Sequence, residues 1–374
     1  MNAWHLNWFY IFACAIGVSF ILSVALTHCV RVFAVRWNIL DHPGERKMQQ
    51  EPVPLLGGVA IALTLYLVIA VSLILLWPVQ RLDAAWFEAN VLSFLGTESQ
   101  AVWKLAGVFG GGVIIVIVGV VDDLYALRPE KKLVGQIAAA LVLVASGIRF
   151  DVFNDFPWVS PLAASVATMV WVIMMTNAMN FLDNMDGLCA GVSVISALSF
   201  FGCILPSHQA FVGVLLMVFA GSVAGFLFHN FSPARIFMGD AGAMFCGYIL
   251  ATVAVLGTFY TQFTPSRIAL AAPFLALSVP IFDTLSVVYI RWKRGESIMK
   301  GDKRHFSHRL VEVGMSPRQA VEFIYLVGAV TGLGAVLLPH VNVLGTLIVL
   351  AQAVGVYMLI VLLMNSGANR NRTS

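Results

Sequence analysis

The chain has 374 residues, of which 60% are apolar and only 11% charged, about half the charge that a soluble domain carries. That composition excludes an ordinary water-soluble fold. The formal charge of +3 says little by itself, because in a membrane protein what matters is which side carries the positive residues.

Apolar runs long enough to cross a bilayer, roughly 20 residues each, recur along the whole chain with short polar breaks. The first, Trp8 to Val30, has no basic residue before it and no small-residue cleavage pattern after it, so it reads as a retained helix rather than a signal peptide. The remaining predicted spans are 55–77, 105–121, 133–149, 159–179, 187–205, 209–229, 238–258, 268–290, 320–338 and 341–364. The expected fold is therefore an all-α polytopic bundle of eleven spans. Residues 1–364 would form a single transmembrane catalytic domain, and 365–374 a polar cytoplasmic tail without fixed structure. The polar stretches 31–54, 78–102 and 291–320 are too short to bury a core of their own. With the N-terminus outside, eighteen Lys and Arg residues fall on the inner side and four on the outer, which puts the inner loops in the cytoplasm. The five cysteines, Cys14, Cys29, Cys189, Cys203 and Cys246, have spacings that suit neither a metal site nor a disulfide framework.

The carboxylates are not spread evenly over this scheme. Asp122 and Asp123 end the third span, Asp183 and Asp186 lie in the fifth-to-sixth turn, Asp240 opens the eighth, and Asp283 lies about two turns before the inner end of the ninth. All six fall on the cytoplasmic side. Carboxylates at membrane depth cost several kcal/mol each unless paired, hydrated or bound to a cation, so a one-sided cluster marks a site. The simpler reading is that some pair with basic loops or cap helix starts; for Asp283 the two readings are evenly matched, whereas the adjacent charges of Asp122 and Asp123 favour a metal. In the segment from Asn177 to Gly187, Asn177, Asn180, Asp183 and Asp186 recur every third residue, which on a helix makes a strip of oxygen ligands over nearly three turns. Hard oxygen donors without thiolates suit Mg²⁺ or Mn²⁺. Asp240 stands between Gly239 and Gly242 at a helix start, where it either ligates a cation or caps the helix. Two basic loops face these acids: one with Arg46 and Lys47 just before Pro52-Val-Pro54-Leu-Leu-Gly57-Gly58, the other running from Lys303 and Arg304 through His305 and His308 to Arg309. Acids that hold a divalent cation, opposed by Lys, Arg and His, form the constellation that phosphoryl transfer needs.

On these motifs the sequence resembles the bacterial polyprenyl-phosphate N-acetylhexosamine-1-phosphate transferases, a group that starts O-antigen, enterobacterial common antigen and wall teichoic acid synthesis and is related to phospho-MurNAc-pentapeptide translocase. The resemblance runs in order from Arg46-Lys47 and the Pro-Val-Pro-Leu-Leu-Gly-Gly segment through Val121-Asp-Asp-Leu124, Asn177 to Leu188 and Phe237 to Gly242. It continues to Pro280-Ile-Phe-Asp283, Arg291 and His305-Phe-Ser-His308. It implies that Asp240 coordinates Mg²⁺, with Mn²⁺ as a substitute, and that Asp122, Asp123, Asn180, Asp183 and Asp186 line the metal and nucleotide site. Lys47, His305 and His308 would hold or polarise phosphates, with Arg46, Arg304 and Asn177 as further substrate contacts. One of Asp122 or Asp123 would deprotonate the lipid phosphate. The implied reaction is attack of undecaprenyl phosphate on the sugar-bearing phosphorus of a UDP-N-acetylhexosamine, with UMP released at the cytoplasmic face of the bacterial inner membrane. Three positions depart from the group's pattern: Gln49, where many members carry His; Ser307, which replaces a middle His; and Ala243, where Ser is common. The three-histidine-plus-acid pattern of the peptidoglycan translocase is absent, which argues against UDP-MurNAc-pentapeptide as donor; by analogy with the group, UDP-GlcNAc is the leading donor.

The partners so implied are the nucleotide sugar, the polyprenyl phosphate and membrane lipids, with no nucleic acid; a homodimer is compatible with the sequence. The rival from another class is a cation- or proton-coupled secondary transporter, which would need acids near the bilayer midplane rather than at helix ends.

Overall fold

The computed structural model describes residues 3–42, 51–82, 98–150, 161–207, 209–257, 271–296 and 304–373. Nearly all of them are helical: α1 Ala3–Arg36, α2 Gly57–Leu82, α3 Glu98–Tyr125, α4 Pro129–Ala145, α5 Pro161–Leu182, α6 Leu188–Ile204, α7 Ala210–Asn230 and α8 Gly239–Leu256. After these come α9 Ala272–Ala276, α10 Ser278–Arg294, α11 Phe306–Glu312, α12 Pro317–Leu337 and α13 Val343–Thr373. Helices are the expected answer to an apolar chain in lipid, because each satisfies its own backbone polar groups where no water can. Among the described residues, nine helices are long and apolar enough to cross a membrane. Each of the eleven predicted spans finds a helix. The two that fall short are α4, with 17 residues, and the broken pair α9 and α10.

That break has a local cause. Pro280 has no N–H to give the Ala276 carbonyl one turn back, and that carbonyl instead accepts the Ser196 hydroxyl of α6 at 2.8 Å. At the other end of the chain, α13 continues as helix through Thr373, so the tail expected to lack structure from residue 365 extends the last helix. Once a helix is nucleated, each further residue adds one backbone hydrogen bond.

The centre of the bundle is α8. Every residue from Ala241 to Val255 is buried, as expected of a helix apolar on all sides, and it packs against α2, α3, α5 and α6. Small residues bring the backbones together at its start. A Cβ on Gly58 of α2 would overlap the backbone of Gly242, and a Cβ on Gly119 of α3 would overlap that of Ala241, the small-residue contact by which membrane helices approach closely. By contrast, α1 and α13 bury little of their apolar surface and form the periphery.

The connection between α1 and α2 meets the N-terminus of α8. A two-residue antiparallel ladder pairs β1 (Leu40–Asp41) with β2 (Val53–Pro54), in the register Leu40 to Pro54 and Asp41 to Val53. The following segment docks on the α8 start, with Phe237 N donating to Pro54 O and Gly57 N and Gly58 N donating to Phe237 O and Met238 O at 2.8–3.0 Å.

Candidate active site

Asp122 is the next-to-last carboxylate of α3 and is nearly buried. One oxygen, Oδ1, accepts Leu127 N at 2.7 Å and so closes the turn after the helix. The other, Oδ2, lies 2.6 Å from Lys132 Nζ in the first turn of α4. The same ammonium sits 2.5 Å from Asp240 Oδ2 at the start of α8. Lys132 therefore joins three helix ends, and it is the functional candidate that sequence reasoning missed. Its only signal was a basic residue in an inner loop, indistinguishable there from Lys131. The Asn180 side chain also hydrogen-bonds the Asp240 carboxylate.

Asp123 takes a different job. Its Oδ1 accepts Asp240 N at 2.7 Å and its Oδ2 accepts Ala241 N at 3.3 Å, so it caps α8 from another helix and supplies negative charge to the positive helix end. The question of whether Asp240 caps its own helix is thereby answered: Asp123 is the cap, and the Asp240 side chain is left to face Lys132 and Asn180. Gly239 makes room for this arrangement, since its φ of +71 is left-handed and a Cβ there would meet the Asp123 carboxylate.

The oxygen strip between residues 177 and 186 does not persist as one helix. The helix α5 ends at Leu182, and Gly187 at φ +77 starts α6, so Asp183 and Asp186 are presented by the intervening turn. Asn177 is not brought to the acids: its amide exchanges hydrogen bonds with Gln136 of α4, at 2.7 and 3.2 Å, and donates to Ile173 O, an α4–α5 clasp. Asp186 Oδ2 accepts Ala234 N at 3.0 Å. Asn230 secures the same corner by accepting Gly187 N and donating to Ile236 O. The Asp183 carboxylate alone of these acids has no hydrogen-bond partner among the described residues. Burial first, then the carboxylates of Asp240, Asp123 and Asp186, push its pKa up to about 8.

The histidine loop is tied to this turn. Asp283 is fully buried. Its Oδ1 accepts Phe306 N at 2.6 Å, and its Oδ2 lies 2.8 Å from His305 Nδ1. With Nδ1–H donating to Asp283, the imidazole is left with Nε2 as its free acceptor. Ser307 donates to Asn184 in the turn between Asp183 and Asp186 at 2.5 Å, and the His305 ring lies 6.2 Å from that of Phe181. His308 lies on α11, one turn after His305. Arg304 instead makes a two-pronged ion pair with Glu296 at 2.6 and 3.3 Å. Arg46, Lys47, Gln49 and Lys303 lie outside the described residues.

The expected metal set of Asp240, Asp122 and Asp123 is not assembled as a ready trio, and among the described residues no group of three or more His, Cys, Asp or Glu is. Asp123 has turned to backbone, and Lys132 holds the other two. The donors nevertheless fit a hard divalent cation. Two carboxylate oxygens already converge on one positive charge, and Asp183, unpaired and raised by its neighbours, supplies a further hard oxygen.

Comparison with known proteins follows the same residues. The profile described as glycosyl transferase family 4 matches residues 105–258, the stretch that contains Asp122, Lys132, Asp183 and Asp240. A probable undecaprenyl-phosphate N-acetylglucosaminyl 1-phosphate transferase of Bacillus subtilis (strain 168) is 30% identical over 335 residues, covering 87% of this chain and 84% of that protein. The chain belongs to the polyprenyl-phosphate N-acetylhexosamine-1-phosphate transferase family. The decaprenyl-phosphate N-acetylglucosaminephosphotransferase of Mycolicibacterium smegmatis is 34% identical over 84% of this chain and 79% of its own length. A phospho-N-acetylmuramoyl-pentapeptide-transferase of Desulforudis audaxviator is 28% identical over 84% and 94%. The protein is thus a multi-pass membrane transferase of this family.

Proposed function

We propose that the protein transfers N-acetylhexosamine 1-phosphate, with GlcNAc-1-phosphate the leading group, from its UDP-sugar to undecaprenyl phosphate at the cytoplasmic face, releasing UMP and starting a lipid-linked glycan. The observation that carries this reading is the convergence of Asp122, Lys132, Asn180, Asp183 and Asp240 at one end of the bundle, with the His305 loop tied to the same turn. The names of its relatives, which specify undecaprenyl or decaprenyl phosphate, support it. For a transporter, acids at helix ends rather than at the midplane are the wrong arrangement.

Mg²⁺ held by Asp240 and Asp122 with Asp183 would neutralise the diphosphate as its Pα–O–Pβ bond breaks. The chain's own residues do the rest. Asn180 holds the Asp240 carboxylate in one orientation, and Asp123 holds the start of α8. His305, fixed by Asp283, offers its Nε2 lone pair to a proton, and once protonated there it can donate to a phosphate oxygen. The lipid phosphate oxygen bonds to the sugar-bearing phosphorus while UMP departs with the electron pair. Between Asp122 and Asp123, Asp122 is the better proton acceptor, because both Asp123 oxygens are tied to the backbone at the start of α8, whereas Asp122 Oδ2 is held by the flexible Lys132 side chain.

The test is UMP release by purified protein in detergent with undecaprenyl phosphate and a panel of UDP-sugars, with and without Mg²⁺, using Asp240→Ala as control. Lipid- and Mg²⁺-dependent UMP from one donor, lost in the variant, is expected. Folded protein that releases no UMP from any donor would overturn the reading and favour transport.

A further inference from the structure

Lys132 stands where helix electrostatics would not put it. It occupies the first turn of α4, whose end carries positive partial charge, and the side chain reaches across to α3 and α8 to place Nζ 2.6 Å from Asp122 and 2.5 Å from Asp240. The two carboxyl groups also lie within hydrogen-bonding reach of each other. Two ionised carboxylates so close repel strongly unless a positive charge stands between them. Removing Lys132 would leave that repulsion uncompensated in a partly buried place.

We propose that Lys132 is a built-in counter-ion that occupies the cation position between Asp122 and Asp240 and is displaced when a divalent cation binds. This rests on the reading of the acidic cluster as a divalent-cation site. The argument is steric and Coulombic. A magnesium ion binds oxygens at about 2.0–2.1 Å, so a cation joined to both carboxylates would lie against the present ammonium, and two positive charges in contact exclude one another. Lysine suits the exchange. Its charge is a compact point on a flexible four-carbon stem, and the side chain keeps 23% of its surface in solvent, so Nζ has a way out without any helix moving. In the metal-free protein the ammonium holds three helix ends in register; after exchange it is free to face anionic substrate.

Mn²⁺ serves as the probe, with free ion measured by electron paramagnetic resonance on detergent-purified protein. Lys132→Met, which keeps the length of the stem and removes the charge, is expected to bind Mn²⁺ about tenfold more tightly than wild type, within the usual range for coupling between two ligands of one site. Its metal-free melting temperature should fall and its Mn²⁺-induced rise should grow. Lys132→Arg should stay close to wild type in affinity. In wild type, acetylation of Lys132 by an amine-reactive reagent, read by mass spectrometry, should increase when Mn²⁺ is added, a readout that needs no variant to fold. Unchanged or weaker Mn²⁺ binding in Lys132→Met, or protection of Lys132 by Mn²⁺, would overturn the proposal. Wild type that binds no Mn²⁺, with Asp240→Asn no different, would instead remove the cation site on which it rests.

Discussion

Asp183 is half-buried and Asp283 fully buried, and their surroundings give them opposite duties. Asp283 is satisfied on both oxygens by Phe306 N and His305 Nδ1, so it orients rather than reacts. Asp283→Asn should keep one hydrogen bond to Phe306 N but lose the charge that fixes the imidazole. A fall in kcat of about 10- to 100-fold with little change in Mn²⁺ affinity is expected, the size seen when a group that orients a reactive histidine is lost. Asp183 has burial and three like charges around it and a pKa near 8. Between its ordinary value of about 4 and that raised value, the folded protein holds a proton that the unfolded chain has released. Stability of the metal-free protein therefore falls as pH rises through this window. Thermal unfolding at about pH 6 and about pH 9 should show the loss in wild type and a flatter profile in Asp183→Asn. The same variant should lose activity at least about 100-fold, because the amide keeps one oxygen but loses the negative charge and the protonatable second oxygen; full activity would remove Asp183 from the site.

The helix ends form the active site at the scale of elements, and their positions depend on how closely backbones approach. Gly119 of α3 and Gly58 of α2 lie against the first turn of α8, where even a methyl group would collide with backbone rather than with a yielding side chain. Gly119→Ala should therefore destabilise by about 1–3 kcal/mol, the usual cost of forcing extra volume into a packed seam. It should also raise KM for the nucleotide sugar by shifting Asp122 away from Asp240. A melting curve in detergent with parallel kinetics checks both effects. The fifth and ninth spans show how much a pattern conceals. The oxygen strip over residues 177–186 has helical spacing, but the chain turns at Asp183 because α6 starts at a left-handed Gly187 whose N–H is taken by Asn230. The break between α9 and α10 follows from Pro280 and from a Ser196 hydroxyl 80 residues away in sequence.

Across the whole molecule, the positive-inside pattern and the site make one prediction about sidedness. The loop between α3 and α4 should lie in the cytoplasm and the one after α4 outside. In a background lacking the exposed Cys14 and Cys29, an impermeant thiol reagent applied to intact cells should label Arg149→Cys and should label Glu130→Cys only after the membrane is opened. Labelling of Glu130→Cys in intact cells would invert the bundle and place the site on the wrong side for a nucleotide donor.

Hydropathy and the residue types at the helix ends were enough to determine an all-helical membrane protein, its order of spans, and the six aspartates that belong near one face. Both are one-dimensional properties: a run of apolar residues must be a helix in lipid, and a carboxylate at a helix end must find water, a partner or a cation. What each aspartate does was decided only by tertiary structure. Asp123 caps a helix more than 100 residues later, Asn177 clasps Gln136, Asp283 holds His305, and Lys132 bridges Asp122 to Asp240. These roles are set by which helix ends meet, and that depends on close packing between distant segments rather than on any local pattern.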